Sequence, residues 1–185
     1  IEHRCRKQIK KAQRNMLTTQ VVTPDLTLLE KYYELHLQTC QRNGIRPHPR
    51  KYFEVIYSQV SNAGMCKACV VSKGEEVLSI HNFLIYKNCA LYWTTAGSDA
   101  ALKLCANDFG IWEALCYMKS IGIQFFESGE AFPRASQGKL KGLNDFKRSF
   151  GGSLYPYYRG QIVHRPITEC LMKITKELRG SRNDK

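Results

Sequence analysis

The residue of this chain that is best placed for chemistry is a lysine with aromatic residues on both sides. Lys147 follows Phe146 and is followed by Phe150, in a stretch that begins at Gly142 and closes on a glycine pair that starts at Gly151. An ammonium group beside apolar rings is partly desolvated, so its charge acts strongly on an anion. The alternative is that Lys147 extends from an amphipathic helix into solvent, and that the rings are only its buried side at i and i+4.

Two carboxylates stand before this stretch. Glu127 ends a short apolar strand predicted over residues 123–127, and Glu130 follows it in the next loop. Open sheets commonly bind ligands at the carboxyl ends of their strands. Either carboxylate could therefore take a proton from an incoming amine, although Glu127 could equally cap a backbone turn.

Two further polar residues are weaker candidates. Ser98 follows Gly97 at the end of a predicted strand and could hydrogen-bond a ligand, but a role in forming a turn is more typical of serine there. His81 lies in the middle of a predicted strand. We expect it to be packed or solvent-facing rather than a base.

The chain is strongly basic. Its 185 residues carry a formal net charge of +12, which favours anionic partners such as phosphates, nucleic acid, nucleotides or acidic lipid. A basic helix is predicted over residues 2–15, with Ile9, Ala12 and Met16 as its few apolar anchors. Charge on two of its faces would allow contact with phosphate or nucleic acid. The alternative is a solvated linker helix.

The eight cysteines favour a reducing compartment. Most lie in apolar periodic segments, where a free thiol behaves as a small hydrophobic group. Cys66 and Cys69 form a CxxC pair in a predicted strand, without the second pair that a structural zinc site needs. We therefore expect reduced thiols, no metal and a cytoplasmic location.

Targeting signals are not visible in the sequence. No apolar run reaches the roughly 18 residues of a membrane-spanning helix, and the charged N-terminus does not resemble a signal peptide. Because the chain begins with Ile rather than Met, we expect it to be a piece of a longer protein.

Apolar periodicity predicts an α+β (mixed α/β) fold for the first half of the chain. A strand at 17–22 precedes a helix that begins with Thr23 as its N-cap and ends at Gly44. A second helix ends at Gly64. Tight turns then join three strands of an antiparallel meander, residues 65–72, 76–86 and 89–95.

The second half predicts a parallel crossover and a closing hairpin. A helix over about 107–120 leads directly into the strand at 123–127, as in a strand–helix–strand unit. The remaining predicted elements are a helix at 140–150, a hairpin of 153–158 with 161–164, and a helix at 167–178. We expect one domain over 16–179, with a central mixed sheet of six to seven strands and helices on both faces, between a basic leading helix (1–15) and a frayed tail (180–185).

This order of elements resembles the GNAT acyltransferase fold and, within it, the FemAB-like branch, whose members make peptidoglycan cross-bridges or are related acetyltransferases. Four places carry the resemblance, and the last is the most specific: Ile9–Ala12, Thr39–Gly44, Ala96–Ser98, and Gly142-Leu143 with Phe146-Lys147 and Phe150-Gly151-Gly152.

The resemblance implies roles for particular residues. Phe146 and Lys147 would contact the acyl donor, with the lysine compensating negative charge near the reacting ester. Two other sets of residues follow from it: donor contacts at Gly97, Ser98, Gly142 and Gly151, and anion contacts at Arg42, Lys10 and Lys11.

Two departures from the family pattern concern the donor. Glu127-Ser128-Gly129 stands where the family usually has Asp, an apolar residue and Gly. No Arg or Gln followed by Gly-x-Gly or Gly-x-Ala comes after Thr95, so no pyrophosphate-loop motif supports acetyl-CoA as the donor.

FemAB-like proteins usually carry two GNAT-like units, and this chain has room for one, so a preceding unit is an expected partner.

The resemblance implies an acyltransferase. It would move an acyl or aminoacyl group from a CoA thioester or an aminoacyl-tRNA to an amine on a sugar nucleotide, a peptide or a cell-wall precursor. No GxSxG motif and no Ser or Cys paired with His is recognisable, which favours direct transfer in a ternary complex. The alternative is a non-catalytic GNAT-fold module that binds an anionic ligand or partner. A basic nucleic-acid-binding domain without enzyme ancestry is a third and weaker possibility.

Overall fold

The computed structural model describes residues 1–158 and Gly160 of the chain. These residues form five strands, six α-helices and one π-helical turn. In chain order the elements are α1 (His3–Arg14), β1 (Leu17–Val22), α2 (Leu26–Asn43), α3 (Arg50–Val55), the π-helical turn (Ile56–Val60), β2 (Cys66–Lys73), β3 (Glu76–Tyr86), β4 (Cys89–Gly97), α4 (Asp99–Lys103), α5 (Ala106–Ser120), β5 (Phe125–Glu127) and α6 (Gly138–Ser149).

The strands form one mixed sheet in the order β1-β2-β3-β4-β5. Strands β1 to β4 pair antiparallel, which confirms the predicted meander. β5 lies parallel to β4, and α4 and α5 form the crossover between them.

The described residues supply five strands, where six to seven were predicted. Of the predicted closing hairpin, 153–158 form no strand and 161–164 lie outside the described residues. Pro156 has no backbone N–H and cannot donate in a strand ladder, which disfavours a paired strand at that position.

Helices cover both faces of the sheet, as predicted. On one face α2 and α3 bury a core that includes Leu29, Phe53 and Ile80. On the other face α5 packs on β2 and β3, with Phe109 and Met118 buried. Full burial of side chains of this size stabilises the fold by roughly 1.5–3 kcal/mol each.

The two cysteines of the CxxC pair lie on opposite faces of the sheet. Because Cys66 and Cys69 are three residues apart in β2, Cys66 lies in the core under α2 and α3 and Cys69 lies in the core under α5. Burial raises the pKa of the Cys66 thiol to about 11 and that of Cys69 to about 12. The two thiols therefore cannot share a metal ion, and every cysteine in the described residues is free.

Helix α2 begins later than predicted. Asp25, not Thr23, is its N-cap, and the Asp25 carboxylate accepts a 2.8 Å hydrogen bond from the backbone N of Leu28. The Thr23 hydroxyl instead accepts from Lys67 Nζ on β2 at 2.7 Å. The predicted end is confirmed, because Gly44 closes the helix in the left-handed conformation.

Helix α1 is part of the core, so the alternative of a solvated linker helix is wrong. Cys5, Ile9 and Ala12 are buried against the face that carries α5. Met16, expected as an anchor, is 75% exposed. Met16 follows the last turn with a left-handed φ of 59°, which carries its side chain away from the buried stripe of α1.

The chain divides into two compact units, Ile1–Gly152 and Ser153–Lys185. All the elements above belong to the first unit. Residues 153–158 and 160 of the second unit are described and form no helix or strand; the predicted helix at 167–178 and tail at 180–185 lie outside the described residues. No helix in the described part of the chain combines the length and the hydropathy that a bilayer span requires.

Candidate active site

The sheet opens between β4 and β5. The two strands pair over only three residues each, Cys89–Leu91 with Phe125–Glu127, whereas β4 continues to Gly97. From Tyr92 onward this edge of β4 has no strand partner in the described residues. We call this opening the β4–β5 fork. Backbone groups on an unpaired edge can hydrogen-bond a ligand.

Lys147 lies at the fork. Its Nζ donates a 2.7 Å hydrogen bond to the backbone oxygen of Glu130, in the loop after β5. A Cβ built on Gly129 would lie 3.5 Å from Lys147 Nζ and 3.8 Å from the carbonyl oxygen of Tyr92. Since Tyr92 is the residue at which β4 and β5 separate, the ammonium group stands where the fork begins.

The electrostatics of Lys147 combine burial with negative neighbours. The side chain is half-buried, and this desolvation lowers its pKa, while the nearby carboxylates of Glu130 and Glu127 act in the opposite direction. No described carboxylate is close enough to Lys147 to form an ion pair. An ammonium has three donor hydrogens. Only one of them is used by the described residues, so the group can still bind an anion.

Helix α6 holds the loop after β5 at a second point. The Asn144 side chain accepts from the backbone N of Phe132 at 2.9 Å and donates to its carbonyl oxygen at 2.8 Å. Asn144 precedes Lys147 by three residues and therefore lies on the same side of the helix. Asn144 was not among the predicted site residues, because its spacing from Lys147 places it on the same side of the helix but does not reveal its partner Phe132 in the loop.

The aromatic residues around Lys147 serve packing. Phe146 and Phe150 meet edge to face at 5.3 Å between ring centres, and Phe150 packs against the core that contains Leu78. The two rings therefore pack at i and i+4, and Lys147 itself lies at the fork. The predicted donor contact of Phe146 stays a prediction.

The two predicted glycines of α6 have different surroundings. Gly142 is exposed in the middle of the helix, and a Cβ there would meet no atom within 4 Å. Gly151 follows the last turn with a φ of +91°, a conformation that ends a helix and favours glycine. Their roles in donor binding stay predictions.

Arg42 ties the end of α2 to the end of β4. Its guanidinium donates to the Gly97 carbonyl oxygen at 3.0 Å and to the Asp99 carboxylate at 2.9 Å. The Thr39 hydroxyl accepts from the Gly97 backbone N at 3.0 Å. A Cβ on Gly97 would lie 3.1 Å from that of Ser79, so only glycine fits without displacement. The structure thus shows Arg42 engaged with groups of the protein itself.

Ser98 caps a helix that the sequence analysis missed. Its hydroxyl accepts a 3.2 Å hydrogen bond from the backbone N of Ala101, at the start of α4. Asp99 occupies the first turn of this short helix. Its carboxylate is the one that pairs with Arg42.

His81 is a core residue, as expected. It is fully buried; its Nδ1 lies 3.0 Å from the Thr95 hydroxyl and its Nε2 lies 3.1 Å from the Ser79 hydroxyl. Desolvation lowers its pKa to about 3. Gly110 of α5 crosses so closely that a Cβ there would lie 2.7 Å from His81 Cδ2.

The remaining predicted site residues lie at two places. Glu127 and Glu130 are exposed beside Lys147 at the fork. Lys10 and Lys11 are exposed on α1, whose packing partners are α5, β1 and α6. In the described residues no group of three His, Cys, Asp or Glu side chains could hold a metal ion.

Solved structures share this fold. FemX matches with a TM-score of 0.70 and 16% identity, over 81% of this chain and 54% of FemX. L-PGS from Bacillus licheniformis matches with a TM-score of 0.59 and 14% identity, over 80% of this chain and 50% of that one. An aminoglycoside acetyltransferase from an uncultured soil metagenomic sample, solved with sisomicin, matches with a TM-score of 0.54 and 12% identity, over 82% of this chain and 95% of that one.

This chain therefore spans about half the length of FemX and of L-PGS. These likenesses confirm the predicted resemblance to FemAB-like proteins at the level of the fold. A comparison with curated proteins gives no match. The family model described as "Acetyltransferase (GNAT) domain" matches residues 3–148. Because that match covers most of the chain and the fold agrees with it, the chain belongs to the GNAT acetyltransferase domain family.

Proposed function

We propose that this chain is an acyltransferase domain that transfers an acyl or aminoacyl group to an amine at the β4–β5 fork. The observation that carries the proposal is the position of Lys147. Its ammonium is half-buried, is held by the Glu130 carbonyl oxygen, and lies beside the backbone of Gly129 where β4 and β5 separate.

The proposed reaction is a direct transfer in a ternary complex. The amine nitrogen attacks the carbonyl carbon of the donor, a C–N bond forms, and the C–S bond of a thioester or the C–O bond of an ester breaks. The amine loses a proton to Glu127 or Glu130, and the leaving thiolate or alkoxide gains one. Lys147 stabilises the negative charge that develops near the carbonyl, which is the term that usually contributes most in such reactions.

The donor supplies the acyl group and a negative charge. A GNAT domain implies a donor of the acyl-CoA type, and the aminoacyl-tRNA donor is kept as a second candidate. From Tyr92 onward, the edge of β4 that has no strand partner among the described residues offers backbone groups to an extended donor. Phe146, Gly142 and Gly151 are assigned to the donor side, and Gly97, Ser98 and Arg42 to shaping the end of β4.

One observation favours the alternative of a non-catalytic binding module. No pyrophosphate-loop motif follows β4, and Asp99 and Arg42 at that position are engaged with each other. A domain that had lost turnover could keep the fork and the ammonium group for binding an anion. Binding and turnover must therefore be measured separately.

Donor binding is the first test. Thermal shift would be measured with acetyl-CoA, longer acyl-CoAs and an aminoacyl-tRNA mimic, for the wild type and for Lys147→Ala. We expect at least one donor to stabilise the wild type, and we expect Lys147→Ala to lose that response because the charge at the fork is gone.

Lys141→Ala is the matched control. Lys141 lies on the same helix and is exposed, but it pairs with Asp145 one turn later. Both variants remove one positive charge from α6, and only Lys147→Ala removes it from the fork. Equal loss in the two variants, or no response of the wild type to any donor, would contradict the proposal; binding without turnover on amine acceptors would support the binding module instead.

A further inference from the structure

The basic side chains of helix α1 all lie away from its buried side. At 3.6 residues per turn, five basic side chains fall within one stripe that runs the length of the helix, and all are exposed. We call this set the α1 stripe: His3, Lys7, Lys10, Lys11 and Arg14.

The opposite side of α1 is used by the core. Cys5, Ile9 and Ala12 are buried on that side and hold the helix against α5. None of Lys7, Lys10, Lys11 and Arg14 forms an ion pair with a described acidic residue. The stripe is therefore a row of four Lys and Arg side chains that faces solvent from a helix held against the core.

The residues around the stripe indicate which kind of anionic partner it suits, a membrane surface or the phosphates of a nucleic acid. A helix that inserts into a membrane surface buries an apolar face in the lipid. Here the apolar face of α1 is already buried in the protein, and the residues that flank the stripe are polar, namely Arg4, Arg6, Gln8 and Gln13. This arrangement favours contact with phosphates over insertion into lipid.

The length of the stripe fits a regular phosphate backbone. The eleven steps from His3 to Arg14 give about 16 Å at the rise of an α-helix, and a duplex carries about nine phosphates on its two strands within that length of its axis. Lys and Arg contact phosphates without reading sequence. A straight row of cations on a fixed helix suits a duplex better than a flexible single strand.

We infer that the α1 stripe binds the phosphodiester backbone of a nucleic-acid duplex without sequence preference. The inference does not depend on acyl transfer at the fork, because it uses the charge and geometry of α1 alone. RNA and DNA duplexes share the chemistry, so both are tested.

The test is fluorescence anisotropy with the full chain and short labelled duplexes of RNA and of DNA, between about 50 and about 200 mM salt. We expect the logarithm of the affinity to fall with the logarithm of the salt concentration with a slope of about −3 to −4, since each neutralised phosphate contributes about −0.9. The stripe variant is Lys7→Gln with Lys10→Gln and Arg14→Gln. We expect it to bind about tenfold more weakly or worse and to have a slope shallower by about 2 to 3.

The matched control removes the same charge elsewhere. Lys51→Gln, Lys73→Gln and Lys119→Gln change exposed lysines on α3, at the end of β2 and near the end of α5. We expect this control to keep the slope of the wild type, and circular dichroism checks that both triple variants are folded.

Two results would overturn the inference. One is an equal loss of binding in the control, which would mean that only net charge matters. The other is no binding of either duplex at the lowest salt; binding of phosphatidylserine vesicles in that case, lost in the stripe variant, would assign the stripe to a membrane surface. A preference for one duplex would identify which nucleic acid the stripe suits.

Discussion

The two edges of β4 differ in how they are closed. Toward β3 the strand is paired from Cys89 to Gly97, and the side chains of His81 and Asn82 add hydrogen bonds across the ladder. Toward β5 the pairing stops after Leu91. The same strand thus carries a closed core edge and an open edge, and the charged groups of the candidate site stand at the open one.

The closed edge of β4 contributes mainly to stability, whereas the open edge carries the proposed chemistry. Side chains are tightly packed at the closed edge, as the close approach of Gly110 on α5 to His81 on β3 shows. At the fork, α6 and the loop after β5 are joined through a few hydrogen bonds of Lys147 and Asn144. We therefore expect changes at the closed edge to affect mainly folding, and changes at the fork to affect mainly ligand binding and turnover.

The largest expected effect concerns activity at the fork. Lys147→Met keeps the length of the side chain but removes its charge, so stabilisation of the developing negative charge is lost. With the donor identified by thermal shift, we expect kcat/KM for amine acylation to fall by about 100- to 1000-fold, with the melting temperature nearly unchanged. Lys141→Met should keep the activity; a fall as large as that of Lys147→Met would remove the distinction between fork and helix surface.

The next effect concerns acid stability at the closed edge. The folded-state pKa of His81 is about 3, well below the value of about 6.5 in the unfolded chain. The unfolded state therefore binds a proton first as the pH falls, and the free energy of unfolding should decrease between about pH 6.5 and pH 3, by a total on the order of 3–5 kcal/mol.

His81→Leu tests this cause. The variant should be less stable at neutral pH, because the hydroxyls of Ser79 and Thr95 lose their partner. Urea denaturation at a series of pH values should nevertheless give it a flatter pH dependence than the wild type over the same range. An unchanged slope would mean that other groups cause the acid sensitivity.

A pair of glycine substitutions contrasts the two regions. Gly110→Ala places a Cβ 2.7 Å from atoms of His81 and Val71, and we expect a loss of about 1–3 kcal/mol of stability from overpacking. Gly142→Ala meets open space in a helix interior, so we expect a gain of about 0.5–1 kcal/mol. Chemical denaturation measures both, and an activity loss in a stable Gly142→Ala would support its predicted contact with the donor.

The smallest expected effect concerns Asn144 as a positioning residue. Asn144→Ala removes two hydrogen bonds to Phe132 and should cost about 1 kcal/mol of stability. Loosening of the loop should also hydrate Lys147, whose pKa burial lowers, so its pKa should rise toward that of a free lysine. The alkaline limb of the pH–activity profile should then move to higher pH, a shift that lost stability alone would not produce.

Much of the fold could be predicted from local patterns. The meander, the crossover helix α5 and the ends of α2 and α6 follow from alternation, helical spacing and glycine positions, which depend on residues near one another in the chain. The start of α2 could not, because Thr23 and Asp25 are both good caps, and only the tertiary structure shows that Asp25 caps the helix while Thr23 contacts Lys67 of a distant strand.

The candidate site divides in the same way. Its residue types could be read locally, since Lys147 with its aromatic neighbours and the carboxylates of Glu127 and Glu130 stand out by type and spacing. Asn144 could not be recognised, because its partner Phe132 is twelve residues away in an irregular loop. The sequence predicts an anion contact for Arg42 but does not reveal its partners Asp99 and Gly97, because they are more than 50 residues away in the chain.

By itself, the sequence determined the order of the elements, the family resemblance and the identity of the lysine at the candidate site. Only the tertiary structure decided that β4 and β5 separate beside that lysine, that α1 buries one side and exposes its cations on the other, and that α5 crosses His81 at a glycine. The physical reason is that periodicity and turn chemistry act between neighbours in the chain, whereas burial, strand pairing and desolvation depend on segments that folding brings together from far apart.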